Sequence, residues 1–191
     1  MSLFASPRRL AAPLALALLT GFAAPAFAAD HWTVAKDTST ITFTGTQAGA
    51  AFTGTFITWT ADIAFDPADL AASAVTVTIE TASAATGDVQ KDANLPTPNW
   101  FNANAAPEAT FVTDAIAKDG ESYVATGTLT IRGIAKPVEL PFTLAIDGDT
   151  AEMSGSTTVK RSDFGIGAGI PPEMIADAVT VAVKVSATRQ K

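Results

Sequence analysis

The chain of 191 residues has no cysteine, a single histidine and only 12 Lys plus Arg against 19 Asp plus Glu. Without cysteine there can be no disulfide framework, no thiolate zinc or iron–sulfur site and no thiol nucleophile. One histidine, His31, leaves little for a His-rich metal centre or an imidazole base, and it sits close to the start of the chain that follows the leader described below. Basic residues are scattered. The formal net charge is −7, and a chain so acidic is repelled by nucleic-acid phosphates and by anionic membrane surfaces. Gly-x-Ser-x-Gly, P-loop and dinucleotide fingerprints are missing. Asp147-Gly148-Asp149 lacks the later ligands of a calcium loop and reads as a hairpin turn. Gly165-Ile-Gly-Ala-Gly169 lacks the following helix and acid of a phosphate cradle and reads as a flexible loop. No carboxylate pair stands out for acid–base work. These absences argue against an enzyme, and no metal or cofactor is implied.

What is present begins with a leader. Arg8 and Arg9 precede an apolar stretch from Leu10 to Leu19, and Pro25 precedes the small-x-small triplet Ala26-Phe27-Ala28. Residues 1–28 therefore read as a cleavable signal peptide, residues 29–191 as the mature domain, and the destination as the periplasm. No cysteine marks a lipoprotein site, and no later stretch is apolar enough to span a membrane.

The mature chain is dominated by period-two alternation, the mark of strands with one buried and one wet face. Ile57, Trp59, Ile63 and Phe65 share a parity. So do Val75, Val77 and Ile79; Leu129 and Ile131; Val138, Leu140, Phe142, Leu144 and Ile146; and Val179, Val181, Val183 and Val185. Asp119-Gly120 and Asp147-Gly148 read as hairpin turns, Gly133 and Pro137 as a break between two strands, and Asp66-Pro67 as a strand end. Phe43-Thr-Gly-Thr46 recurs as Phe52-Thr-Gly-Thr55, two arms of one hairpin. Between 82 and 108 the alternation fails, and Gly87–Leu95 suits a short helix ended by Pro96 and Pro98. With so little helix, the apolar face must be covered by a second sheet or by closure of the sheet on itself. Eight closed strands leave an interior just wide enough for side chains or one small ligand. Periodicity leaves both contents open.

Taken in order, several segments resemble one family. They are Trp32-Thr-Val34, Gly54-Thr-Phe56, Ile63-Ala-Phe-Asp-Pro67, Val75-Thr-Val-Thr-Ile79, Lys91-Asp-x-x-Leu95, Trp100-Phe-Asn102 and Pro107-Glu-Ala-Thr-Phe111. Gly127-Thr-Leu-Thr-Ile-Arg-Gly133, Lys136-Pro-Val-x-Leu140 and Arg161-Ser-Asp-Phe-Gly165 complete the set. Over residues 32–187 this resembles the YceI-like family of periplasmic polyisoprenoid-binding proteins. The resemblance implies an all-β, eight-stranded antiparallel lipocalin-like barrel with a short helical insertion near 86–104. It also implies an apolar isoprenoid ligand, including isoprenoid quinones, and no catalysis. Relatives with Ile166-Gly-x-Gly169 after the Arg motif are found fused or adjacent to cytochrome b561-type membrane proteins. The family's Arg-Asp-x-His-Leu is here Lys91-Asp92-Ala93-Asn94-Leu95, and a common hairpin His is here Gln47, so head-group roles do not carry over to those positions.

The expected ligand-binding set is Trp59, Ile63, Phe65, Val77, Ile79, Leu95, Trp100, Phe101, Phe111, Leu129, Ile131, Phe142, Leu144 and Phe164. Asp92, Arg161 and Asp163 are candidates for a head-group contact or a rim clamp. The clamp is favoured, with Arg161 paired to a carboxylate such as Asp92, because half-buried arginine is usually paired. The leading function is carriage or sequestration of a polyisoprenoid. The alternative is a non-enzymatic interaction module with a self-filled barrel, partnering a cytochrome b561-type protein. A carbohydrate-binding sandwich is disfavoured, because Trp32, Trp59, Trp100 and Tyr123 are too dispersed to form a stacking platform.

Overall fold

A computed structural model describes residues 29–191, so the leader reading of 1–28 lies outside the described residues. Eleven strands alternate along the chain. They are β1 (His31–Val34), β2 (Thr40–Gln47), β3 (Ala50–Phe56), β4 (Trp59–Ala64), β5 (Ala74–Glu80), β6 (Ala84–Ala85), β7 (Glu108–Asp119), β8 (Ser122–Ile131), β9 (Ile134–Asp147), β10 (Thr150–Lys160) and β11 (Ala178–Arg189). One helix, α1 (Val89–Asn94), lies between β6 and β7. No helix among the described residues is long and apolar enough to cross a membrane.

The eleven strands act as eight. β11 pairs with both β1 and β2, β1 pairs with β4 where β2 pairs with β3, and β5 and β6 pair in turn with β4 and β3. β1–β2, β3–β4 and β5–β6 are thus three long staves, each broken by a short kink. With β7 to β11 they form an up-and-down antiparallel barrel of eight staves, closed where β11 meets the first. Closure joins the first and last staves, and the stretches left without a ladder partner are the outer side of β3 and β6 and the facing halves of β9 and β10. β7 and β11 have twelve residues each, about 40 Å of strand at ~3.4 Å per residue, or about 30 Å along an axis tilted by ~40°.

The turns form for local reasons. Asp119–Ser122 and Asp147–Thr150 close two-residue hairpins at the expected Asp-Gly steps. Arg132 and Gly133 both lie at positive φ (56° and 77°) between the paired Ile131 and Ile134, the primed turn that matches strand twist. Two strand expectations need correction here. The break near Gly133 is this tight turn, and Pro137 lies inside β9, opposite Thr128. Ile57 is not on a strand: it sits in the kink between β3 and β4, 70% exposed. His31, near the start of the chain that follows the leader, lies in β1 opposite Ala64, and is exposed.

The Phe-Thr-Gly-Thr echo has a packing cause. Phe43 stands opposite Gly54 and Phe52 opposite Gly45 across the β2–β3 hairpin. A Cβ on Gly54 would stand 2.2 Å from the Phe43 ring, and one on Gly45 2.8 Å from the Phe52 ring. Each ring occupies the space that the other arm's glycine leaves.

Candidate functional site

Closure turns one parity of every stave inward, and a bulge between Thr113 and Ala115 shifts Ile116 onto the inner face of β7. Two separate clusters of buried side chains form, one at each end of the barrel. At the end where β1 begins and β11 finishes, Trp32, Phe65, Ile116, Tyr123, Phe142, Ala151 and Ala187 pack together. Tyr123 stacks on Phe142 with centroids 5.3 Å apart and meets Phe65 edge-on at 5.7 Å. The Trp32 Nε1–H donates to the Phe65 carbonyl (2.9 Å), and the Arg189 guanidinium lies 4.7 Å from the Trp32 ring. This is the closed end. At the other end Leu95, Phe101, Phe164 and Ile166, carried by the connections after β6 and β10, pack with Phe43 and Phe56. Phe56 bridges the two groups, 5.2 Å from Phe43 and 5.7 Å from Phe101. This is the lid end.

Between the two lies a cavity of about 270 Å³. All fourteen expected ligand-binding residues line it. Phe65 and Phe142 belong to the closed-end cluster, and Leu95, Phe101 and Phe164 are buried in the lid. Trp59 is buried in the wall, whereas Ile63, Val77, Ile79, Trp100, Phe111, Leu129, Ile131 and Leu144 are only half buried although they face inward. Those eight do not fill the space they enclose. Sequence reasoning left Phe43, Phe52, Phe56, Val138, Leu140 and the β11 valines out of the set, yet they line the same cavity; the valines' shared parity was the available signal. Apart from tryptophan, the lining has polar groups only at Thr113, Thr157 and Arg161. Thr113 Oγ1 is occupied, accepting from Val75 N (2.8 Å). With Trp32, Trp59 and Tyr123 buried, no exposed aromatic platform for sugar is found among the described residues.

The expected Arg161–Asp92 pair does not form. Arg161 is buried, and its five N–H groups donate to five main-chain carbonyls: Nε to Ala176, Nη1 to Ile166 and Gly167, and Nη2 to Ile170 and Ile175, at 2.8–3.2 Å. A guanidinium has five donors and no more. Arg161 is therefore a clamp, but on backbone, and it has no donor left for a ligand head. The glycine-rich segment read as flexible is what it grips, and Gly167 N also donates to Asn99 O (2.7 Å), tying that segment to the insertion.

Asp92 serves the insertion instead. Its carboxylate accepts from Thr86 N and Oγ1 (2.6 and 2.7 Å) and Gly87 N (3.1 Å), and the Thr86 hydroxyl above all holds it below the usual carboxylate range. Asp88 caps α1, accepting from Gln90 N and Lys91 N; with the Lys91 ammonium 2.7 Å away its pKa is also depressed, chiefly by that hydrogen bond. Asp163 is exposed and does not line the cavity. The carboxylate that does hold the Arg motif is Asp177, which accepts from Ser162 N and Oγ (2.9 and 2.8 Å). Arg132 also escaped sequence reasoning. Its Nη1 donates to Trp100 O (2.6 Å) and Gly165 O (3.0 Å), joining the β8–β9 turn to both lid segments.

Comparison with known proteins agrees with this architecture. The YceI-like domain pattern matches residues 32–187. A UPF0312 protein of Pectobacterium atrosepticum is 33% identical over 144 residues, 72% of this chain and 74% of that protein. The crystal structure of Burkholderia cenocepacia BcnA superposes with a TM-score of 0.79 at 34% identity, covering 82% of this chain and all of that one. A polyisoprenoid binding domain from Saccharophagus degradans, implicated in plant cell wall breakdown, shares the fold at a TM-score of 0.65 and 15% identity, over 84% of this chain and 99% of its own. With its pattern matched from Trp32 to Ala187 and its barrel shared by such relatives, the chain belongs to the YceI-like family.

Proposed function

We propose that this chain carries or sequesters one polyisoprenoid lipid with an uncharged head, foremost an isoprenoid quinone, in the barrel cavity. The observation that carries the reading is the half-exposed apolar interior between two buried clusters. Such a space exposes apolar surface that a hydrocarbon chain would cover, at about 0.8 kcal/mol per buried methylene. The self-filled alternative would have those inward side chains fully buried, and their half exposure favours the ligand reading over it. The choice of head follows from donor arithmetic: Arg161, the one charged residue of the lining, spends every N–H on carbonyls, so a diphosphate would find no partner there. The activity proposed is binding, in keeping with a lining that is apolar apart from Thr113, Thr157, Arg161 and the tryptophans. The name of the Saccharophagus degradans domain supports the ligand class. The leader reading of residues 1–28 supports a periplasmic site of action. A cytochrome b561-type membrane protein is the partner this reading favours, because the Ile166-Gly-x-Gly169 pattern resembles that of relatives found fused or adjacent to such proteins.

The test is extraction. The protein purified from its native compartment is treated with organic solvent, and the extract analysed by mass spectrometry. An isoprenoid lipid at near one per protein is the expected result. A clean extract from a protein that also takes up no quinone afterwards overturns the proposal.

A further inference from the structure

The barrel wall is not hydrogen-bonded throughout. β9 and β10 pair from Asp147–Thr150 to Phe142–Gly155 and no further. Beyond that point Ile134–Pro141 of β9 and Ser156–Lys160 of β10 run on without pairing to each other, although β8 pairs with β9 from Ile134 to Phe142 and β11 with β10 along its whole length. The cause is in the sequence. The hairpin closed by Asp147 and Thr150 directs the N–H groups of odd-numbered β9 residues toward β10, and those of even-numbered residues toward β8. Pro137 and Pro141 are both odd, so they delete donors aimed at β10 and none aimed at β8. Gly155 marks the last close approach: a Cβ there would stand 2.8 Å from both Phe142 Cβ and the Pro141 carbonyl.

The seam is lined for an apolar chain. Val138 and Leu140 on one side and Thr157 and Val159 on the other line the cavity and are half buried. Along the barrel the seam ends at the β9–β10 ladder on one side and at the lid on the other. There Arg132, on the β9 side, reaches the Gly165 carbonyl just beyond the end of β10. The closed end is plugged by packed aromatics and the lid end by two inserted segments, and the outer side of β3 and β6 adjoins the inserted segment that follows β6. The seam is a stretch of wall between two long strands that can part without breaking a ladder hydrogen bond.

We propose that the β9–β10 seam is the lateral passage through which an apolar chain enters and leaves the barrel, with Arg132 as the strap across its lid-side limit; this rests on the cavity being the ligand site. The chain has no cysteine, so Glu139→Cys/Thr158→Cys, placed across the seam by continuing the register, can be joined selectively by a short bis-alkylating reagent. Decylubiquinone is then mixed with the protein and quenching of tryptophan fluorescence followed in stopped flow, alongside the singly alkylated double variant. Joining the seam is expected to slow both binding and release tenfold or more while leaving the equilibrium affinity unchanged. Arg132→Asn, which tolerates the positive φ but loses the strap, is expected to speed both and gives the test a variant independent of the cross-link. A matching cross-link in the lid, Ala48→Cys/Met174→Cys, is expected to leave the rates alone. Unchanged rates in the joined seam and in Arg132→Asn, or slowing by the lid cross-link only, overturn the passage. If the wild-type protein itself fails to bind decylubiquinone, the ligand reading falls and the passage with it.

Discussion

The two ends of the barrel are closed by different physics. At the closed end the plug is made of side chains on the strands or directly at their ends: Tyr123 and Phe142 stack on paired strands, and Phe65, just past β4, meets Tyr123 edge-on. At the lid end, Leu95, Phe101, Phe164 and Ile166 come from segments outside the ladders, held by polar clamps: Arg161 on five carbonyls, Asp177 on Ser162, Asp92 on Thr86. Apolar packing within a sheet is dense and cooperative, and it resists local opening. Clamps on connecting segments can yield locally while the barrel stands.

The contrast can be broken first at the closed end. Phe142→Ala removes a ring from the plug and should cost about 3–5 kcal/mol, read as a large fall in melting temperature. A fall of a degree or two would mean that the aromatic stack does not hold the end together. Arg161→Lys comes next. It keeps the charge but offers three donors for five carbonyls, so two buried carbonyls lose partners at roughly 1–3 kcal/mol each. The loss should show as exchange of amide hydrogens in 166–176, with the closed end still protected. Uniform loss of protection would show that the clamp belongs to the global fold.

A third change addresses the middle. Leu129→Trp in a filled interior would overpack it by about 1–3 kcal/mol. Where Leu129 is only half buried, the larger ring has space, so melting should be nearly unchanged while ligand occupancy is lost. A strong drop in stability with no effect on bound lipid would favour a filled barrel.

The smallest effect is on pH. Asp88, Asp92 and Asp177 have pKa values depressed in the folded chain, chiefly by the Lys91 and Thr86 side chains and the Ser162 amide respectively. A depressed carboxylate stabilises fully above its unfolded pKa of about 4, and that contribution is lost as pH falls through the folded value. Acidification below about pH 4 should thus loosen 86–95 and 161–177 before the closed end, as seen by hydrogen exchange at stepped pH. Simultaneous loosening of both ends would remove the distinction.

The same contrast explains what the sequence disclosed. The closed end and the walls were legible because strand parity is a direct projection of burial: the β11 valines, Phe65 and Phe142 all face inward as their alternation requires. Two of the Asp-Gly turns and the capped helix before Pro96 were legible because each has a local stereochemical cause. The lid was not. Arg161 binds carbonyls, and every residue type carries a carbonyl, so no side-chain identity could point to Ala176 or Ile170; the carboxylate guess, Asp92, followed composition and missed. Pro137 reads locally as a break. Its place inside β9 is tolerated only because the neighbouring strand is unpaired there, a fact set by tertiary structure.

The central claim is that the space between the two ends holds one apolar chain. Calorimetric titration of the ligand-free protein with decylubiquinone at several temperatures tests it most directly, with Leu129→Trp titrated in parallel. The account predicts one site per chain, a negative heat-capacity change from apolar burial, and no binding by the variant. Wild-type binding by Leu129→Trp, or no saturable heat from the wild-type protein, would contradict it.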